Sequence, residues 1–223
     1  MYLYPTICVD NFYENPDDVV NFANSLEYSK SDGSWPGVRS EQLHLVNQDF
    51  FYKFSMKFFS IFHDTRGEKI NWEVYTSFQK INPNEFDDGL RQTFIHTDDS
   101  MIYSAIIYLS KNINKNSGTS VCHPKQGFSD GINQDIRREM YLNCDKNKYS
   151  DYKKNLVQNN DCFEESIIFK QRYNRLVGFD SMNYHKGDFY ANENSEPRLT
   201  QVIFVRKVLA SCFPIPNMRR IVI

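Results

Sequence analysis

The chain has 223 residues, 40% of them hydrophobic and 15% aromatic, which suffices to bury one sizeable core and excludes a disordered segment. A formal net charge of -2 and a pI near 6.2 give no global electrostatic reason to bind nucleic acid or an anionic membrane, and none of either is expected. No stretch approaches the roughly 18 apolar residues of a membrane span, the start Met1-Tyr2-Leu3-Tyr4-Pro5 is no basic-then-apolar leader, and Cys8, Cys122, Cys144, Cys162 and Cys212 show no CxxC spacing. A soluble, cytoplasmic protein without a zinc knuckle or a full disulfide framework is expected.

In chain order, Asn15-Pro16-Asp17-Asp18 reads as a helix start, with Asn15 as cap, Pro16 in the first turn and acidic groups at the positive end of the dipole. Val19, Phe22, Ala23 and Leu26 then repeat at helical spacing. Ser29 to Gly37 is turn-rich. A second helix is predicted from Ser40, with Leu43, Val46, Phe50, Phe54 and Phe58 as the stripe that covers a sheet. From Asn71 the period changes toward two, in Trp72-Glu73-Val74-Tyr75-Thr76-Ser77-Phe78, with further strands predicted at Gln92 to His96, Ile102 to Leu109, Ser166 to Phe169, Arg175 to Phe179 and Arg198 to Val205. Seven or eight strands of this kind would close a small sandwich or barrel. Residues from about 122 to 165 read as a polar, lid-like insertion with helices at Gln134 to Leu142 and near Tyr149 to Val157. The whole is read as one domain over 1–223: a helical lead to about 70, a β core over 71–206 and a tail over 207–223.

The chemistry concentrates in three places. His96-Thr97-Asp98 would lie at a strand end, where residues two apart point the same way. His185 follows beyond the insertion. Two imidazoles and one carboxylate on one face of a metal leave positions open, the donor set of mononuclear iron oxygenases. Arg198-Leu199-Thr200-Gln201-Val202-Ile203-Phe204-Val205 alternates so that Arg198, Thr200, Val202 and Phe204 share one face, and a buried guanidinium there needs an anion. A zinc hydrolase can use the same three ligands, and a noncatalytic ligand-binding jelly roll is the third class.

In this order and spacing, residues 72 to 206 resemble the 2-oxoglutarate and Fe(II)-dependent dioxygenase superfamily, in its prolyl 4-hydroxylase-like branch. His96-Thr97-Asp98 matches the HxD motif, His185 the distal histidine and Arg198 the basic residue beyond it. Ala105-Ile106-Ile107-Tyr108-Leu109-Ser110 looks like the family's strand ending in Tyr-Leu-Asn, and Ser117-Gly118-Thr119 like its Gly-Gly-Thr turn. Asn174-Arg175-Leu176-Val177-Gly178-Phe179-Asp180 resembles the segment before the distal histidine. Ser110, Ser117 and Asn82-Pro83 depart from the family's pattern.

The resemblance implies an α+β, mainly β fold with a double-stranded β-helix (jelly-roll, cupin-like) core and supporting amino-terminal helices. It implies Fe(II) held by His96, Asp98 and His185, and 2-oxoglutarate as co-substrate held by Arg198 with Thr200 and Tyr108, in a pocket lined by Ser104 and Ile106. With O2 as the oxidant, the implied reaction hydroxylates a C–H bond of a peptide, amino acid or small metabolite and releases succinate and CO2. Gly178 is read as space for the co-substrate or as a packing glycine. Lys125, Arg137, Arg138, Tyr141 and Lys146 are candidate substrate contacts, and the Trp35-to-Ser40 loop is a candidate for the mouth of the site.

Overall fold

The computed structural model describes residues 4–30, 32, 35–82, 86, 88–112, 114–128, 134–190, 196–211 and 214. Strand β1 (Ile7–Val9) precedes helix α1 (Pro16–Asn24), strands β2 (Tyr28–Lys30) and β3 (Val38–Ser40), helices α2 (Leu43–Val46) and α3 (Gln48–Phe59), and strand β4 (Ile70–Ile81). Then come β5 (Tyr103–Tyr108), β6 (Gly118–Pro124), α4 (Gln134–Leu142), α5 (Tyr149–Asn160), β7 (Phe163–Lys170), β8 (Arg175–Asp180), β9 (Tyr184–Gly187) and β10 (Arg198–Ala210). Two antiparallel sheets result, a seven-stranded one in the order β1-β8-β5-β10-β4-β3-β2 and a three-stranded one in the order β7-β6-β9.

The helical lead departs from its sequence reading in two details. Asn15 makes no side-chain cap; Pro16 and the acidic first turn mark the start of α1 without it. The second helix does not begin at Ser40, which ends β3, and it is interrupted at Asn47. There the backbone is extended, and the Asn47 side chain accepts from Phe50 N, so the residue that breaks α2 caps α3. Phe54, Phe58 and Phe59 of α3 are buried with Val19 and Ala23 of α1 against Phe78, Tyr103, Ala105, Ile107, Leu176, Leu199, Ile203 and Val205 of the large sheet. Aromatic rings fill this layer edge to face, as in Phe58–Phe62 at 5.7 Å and Phe62–Tyr103 at 5.4 Å between centroids.

Pairing in the large sheet keeps side-chain alternation in phase across its centre. Thr200 opposes Tyr108, Val202 opposes Ile106 and Phe204 opposes Ser104, while Ile106 and Ser104 oppose Val177 and Phe179 of β8. Leu199, Ile203 and Val205 therefore face the helices, and Arg198, Val202 and Phe204 line a cavity on the opposite side. β10 runs past the predicted end at Val205 to Ala210, with a register shift between Val205 and Lys207. Cys212 and residues 215–223 of the predicted tail lie outside the described residues, as does Pro83.

Two predicted boundaries move. Gln92 to His96 forms no ladder strand: its one bridge joins His96 to His185. Side chains from the end of α5 take its backbone groups instead, with Ile95 N donating to Asn160 Oδ1 (2.9 Å), Asn160 Nδ2 to Thr93 O (3.2 Å) and Asn159 Nδ2 to Ile95 O (3.1 Å). At the insertion, β6 reaches Pro124 and β7 starts at Phe163, so Cys122 and Glu165 belong to the small sheet and the excursion spans 125–162. Met140, Tyr141, Tyr152 and Leu156 of its helices bury a second apolar cluster with Ile81, Phe86, Leu90, Phe94 and Tyr190.

Gly178 and Gly118 are both packing positions. A Cβ on Gly178 would lie 2.7 Å from the Tyr103 ring, whose hydroxyl donates to Pro5 O, so this glycine makes room for a core aromatic. A Cβ on Gly118 would meet Phe169 O of the neighbouring strand at 2.1 Å. Ser110 and Ser117, the departures from the family's turn, each hold backbone: Ser110 Oγ accepts from Leu199 N at 2.8 Å, and Ser117 Oγ donates to Phe189 O.

Candidate metal centre

His96 and His185, far apart in sequence, are direct antiparallel partners. His96 N donates to His185 O at 3.0 Å and His185 N returns the bond to His96 O at 2.9 Å. Asp98, two residues on, is held by its own backbone, its N donating to Ser181 O at 3.0 Å. One ligand atom from each of His96, Asp98 and His185 falls within 4.8 Å of the others, and among the described residues this is the group that can hold a metal ion.

The proton positions follow from chemistry. His96 Nδ1 lies 2.7 Å from Phe94 O and His185 Nδ1 lies 2.9 Å from Asn183 O. A carbonyl oxygen only accepts, so each Nδ1 carries a hydrogen, which leaves Nε2 as the atom that each ring can offer a metal. Those Nε2 atoms approach the Asp98 carboxylate, at 3.7 Å from Oδ1 for His96 and 3.3 Å from Oδ2 for His185. Burial pushes the His96 pKa down to about 3, aided by the charge of His185 and Arg137 and opposed by Asp98, so this ring is neutral over the physiological range. Burial alone would raise Asp98, yet His185, His96 and the Ser104 hydrogen bond outweigh it and keep the carboxyl ionised. Two imidazoles and one carboxylate are a donor set for Fe(II).

Ser104 has a part that its sequence position did not reveal. It lines the cavity as expected, and its Oγ also donates to Asp98 Oδ2 at 2.6 Å while sharing a hydrogen bond with Ser181 Oγ at 2.9 Å. This chain orients the carboxylate from behind, as outer partners of metal ligands do. No sequence signal marks Ser181. Its alignment comes from β8 running beside β5.

The cavity, about 750 Å³, is lined by both sheets and by α4. Arg198 enters it from the first residue of β10, is 4% exposed, and donates from Nε to Gln171 Oε1 at 2.8 Å and from NH2 to Gly118 O at 3.4 Å. Among the described residues it has no carboxylate in ion-pair range, and burial lowers its pKa, partly offset by Tyr108, Asp188 and Tyr190. A buried cation with neutral acceptors alone is electrostatically costly, and its planar donors suit a carboxylate. Ile106 lines the cavity too, whereas Tyr108 and Thr200 are buried and lie behind its lining. Tyr108 donates to Thr119 Oγ1 at 2.7 Å, its ring lies 5.4 Å from the Arg198 guanidinium, and burial pushes its pKa up to about 12.

Of the candidate substrate contacts, Arg137 and Tyr141 of α4 reach the cavity. Lys125 donates instead to Asp161 O and Arg138 to Asp32 O, and neither these nor Lys146 is among the lining residues. Trp35, Pro36 and Arg39 of the amino-terminal loop line it as well. Sequence reasoning named that loop but not Arg39 as a charge in the site, because a lone arginine on a three-residue strand carries no motif. Asp99 stands exposed at the lining, accepting from Thr97 Oγ1 at 2.9 Å.

A family model described as "Family of unknown function (DUF6445)" matches residues 3–205. No curated protein matches. Among solved structures, EvdO2 from Micromonospora carbonacea var. aurantiaca aligns at TM-score 0.52 and 10% identity over 96% of this chain and 91% of its own. The non-heme alpha ketoglutarate dependent epimerase SnoN from nogalamycin biosynthesis aligns at 0.51 and 11% over 94% and 80%, and a Pseudomonas putida prolyl-4-hydroxylase at 0.42 and 11% over 91% and 92%. The chain belongs to the family of unknown function DUF6445, and it shares its fold with EvdO2 and with the alpha ketoglutarate dependent epimerase SnoN.

Proposed function

We propose that this protein is an Fe(II)- and 2-oxoglutarate-dependent dioxygenase that hydroxylates a C–H bond of a small molecule or peptide, with release of succinate and CO2. The observation that carries the reading is the pairing of two sites in one cavity: three metal-donor atoms within 4.8 Å of one another and the buried Arg198, which meets no carboxylate among the described residues. A zinc hydrolase needs the first and has no use for the second. In this reading the domain is single over 1–223, the two sheets are the walls of a double-stranded β-helix, and the 125–162 excursion is a lid-like part of the substrate entrance.

His96, Asp98 and His185 would hold Fe(II), with Ser104 fixing the Asp98 carboxylate and the Phe94 and Asn183 carbonyls fixing the two rings. Arg198 would take the distal carboxylate of 2-oxoglutarate, with Tyr108 and Thr200 supporting it from behind the lining and Ile106 packing beside the chain of the co-substrate. Bound together, Fe(II) and 2-oxoglutarate supply the capacity to activate O2. The protein's own work is to orient both, to exclude water and to present the substrate.

Anaerobic titration with Fe(II) and 2-oxoglutarate, following the weak visible metal-to-ligand charge-transfer band, tests this. The band forms in wild type, is lost in His96→Ala, and needs roughly 10- to 100-fold more 2-oxoglutarate in Arg198→Ala, the scale of a lost hydrogen-bonded charge. No band from folded, iron-loaded wild type overturns the assignment.

A further inference from the structure

The cavity carries more positive charge than an Fe(II)–2-oxoglutarate centre consumes. Among its described lining residues are three guanidiniums, Arg39, Arg137 and Arg198, against two carboxylates, Asp98 and Asp99, a formal +1 with neutral imidazoles. Fe(II) and the dianion of 2-oxoglutarate cancel each other, so the filled centre keeps that +1. Asp99 is exposed and screened by water, which leaves the interior more positive still.

Arg39 is one of these cations. Its guanidinium carbon lies 4.0 Å from the centroid of the Trp35 ring and 5.4 Å from that of Phe204, so the group rests over an aromatic shelf. It forms no ion pair among the described residues, and its buried Nε has no hydrogen-bond partner. Burial lowers its pKa to about 9, with Asp98 acting in the opposite sense, so it is charged near neutral pH and electrostatically in touch with the metal ligands. Arg198 differs in being tied to Gln171 and Gly118. Arginine held over a ring keeps its N–H donors in the guanidinium plane, ready for a planar, two-oxygen acceptor.

We propose that Arg39, on the Trp35–Phe204 shelf, binds the carboxylate of a monocarboxylate substrate and so turns that substrate's reacting carbon toward His96, Asp98 and His185. This rests on the oxygenase reading for its reaction and on Arg39 alone for its recognition. A carboxylate offers two oxygens in one plane to that guanidinium edge, and a phosphate monoester, with about -1.5 to -2 charges at pH 7, is the competing anion that the titration separates from it.

The chain has two tryptophans, Trp35 and Trp72, and Trp72 packs on Phe59 in the helix-covered layer. Trp72→Phe therefore leaves Trp35 as the sole indole reporter, beside Arg39. This protein, loaded with Fe(II) and 2-oxoglutarate under argon, is titrated with hexanoate, benzoate and N-acetylglycine, with the carboxamide of each, and with phenyl phosphate. The expected result is saturable change in Trp35 emission with at least one carboxylate, tenfold or more tighter than with its carboxamide or with phenyl phosphate. Arg39→Gln abolishes the preference and Arg39→Lys retains part of it, both with wild-type thermal melting, and Arg39→Gln leaves the 2-oxoglutarate requirement of the charge-transfer band within twofold. Equal binding of carboxylates and carboxamides overturns the proposal, and tighter phenyl phosphate replaces it with a phosphoester. A raised 2-oxoglutarate requirement in Arg39→Gln overturns it by giving Arg39 to the co-substrate. Failure of the band in wild type is a separate outcome that sinks the oxygenase reading, while the same titration of unloaded protein still reads the carboxylate preference.

Discussion

On β10, Leu199, Ile203 and Val205 point into the helix-covered layer and Arg198, Val202 and Phe204 point into the cavity, so alternate residues of one strand serve two environments. The helix side is dry and aromatic. Its central polar side chain is satisfied locally: Gln201 accepts from the Tyr13 hydroxyl and donates to Thr76 Oγ1 at 3.0 Å. Among the described residues the cavity side leaves charge without countercharge at Arg198 and Arg39, which a protein built for stability alone would avoid. One face is optimised for packing and the other is held incomplete by the first, the division expected where binding is the purpose.

Neighbouring residues give the sharpest way to break that comparison. Ile203→Ala empties a site in the close-packed layer and should cost ~2–5 kcal/mol, with 2-oxoglutarate binding unchanged. Val202→Ala, one residue away, opens onto existing space and should cost about 1–2 kcal/mol while altering ligand affinity. Urea unfolding of both, followed by the charge-transfer titration, decides it; equal costs would mean that the two faces are equivalent.

Ser104→Ala comes next in size. It removes the donor to Asp98 Oδ2 and strips Ser181 of its partner, so metal affinity should fall about 10- to 100-fold with the fold intact. Competition with a chromophoric chelator for Fe(II) or Zn(II) measures this. Undiminished affinity would leave Ser104 as a mere lining residue.

The smallest effect concerns pH and belongs to the dry side. His63 is 1% exposed, hydrogen-bonded to the Tyr4 hydroxyl at 3.0 Å and 3.3 Å from Glu68. Burial lowers its pKa below 6.5, against the pull of Glu68. A lowered folded pKa means that the unfolded chain takes up the proton first, so this stabilisation is complete above about pH 6.5 and declines as pH falls toward the folded value. Thermal melts at pH 7.5 and 5.5 should show a drop in wild type that is smaller in His63→Gln; an identical drop would assign it to other groups.

Legibility in the sequence followed periodicity. α4 reads off its residues to both ends, α1 and β5 nearly so, because each carries a clear apolar stripe or alternation. β6, Gly118–Pro124, was invisible as a strand: its first five residues are all buried and mostly small and polar, so neither period shows. β9 is four residues long, and β2 and β3 three each, below the length at which alternation means anything. Gln92 to His96 failed oppositely, having strand-like residues whose backbone pairing stops at Thr93–Gly187 and His96–His185, while Asn159 and Asn160 side chains take Thr93 O and both groups of Ile95. In the site, His96, Asp98, His185 and Arg198 stood out because their order carries a motif, while Ser181 and Arg39 enter only through pairing of strands remote in sequence.

That clamp by Asn159 and Asn160 has a thermodynamic consequence. The segment that ends at His96 is fastened to the last turn of α5, and α4, which brings Arg137 and Tyr141 to the cavity, packs with α5 in one apolar cluster. The helical excursion and the first imidazole thus share a tether, and by reciprocity any factor by which a ligand on the excursion tightens metal binding is the factor by which the metal tightens that ligand.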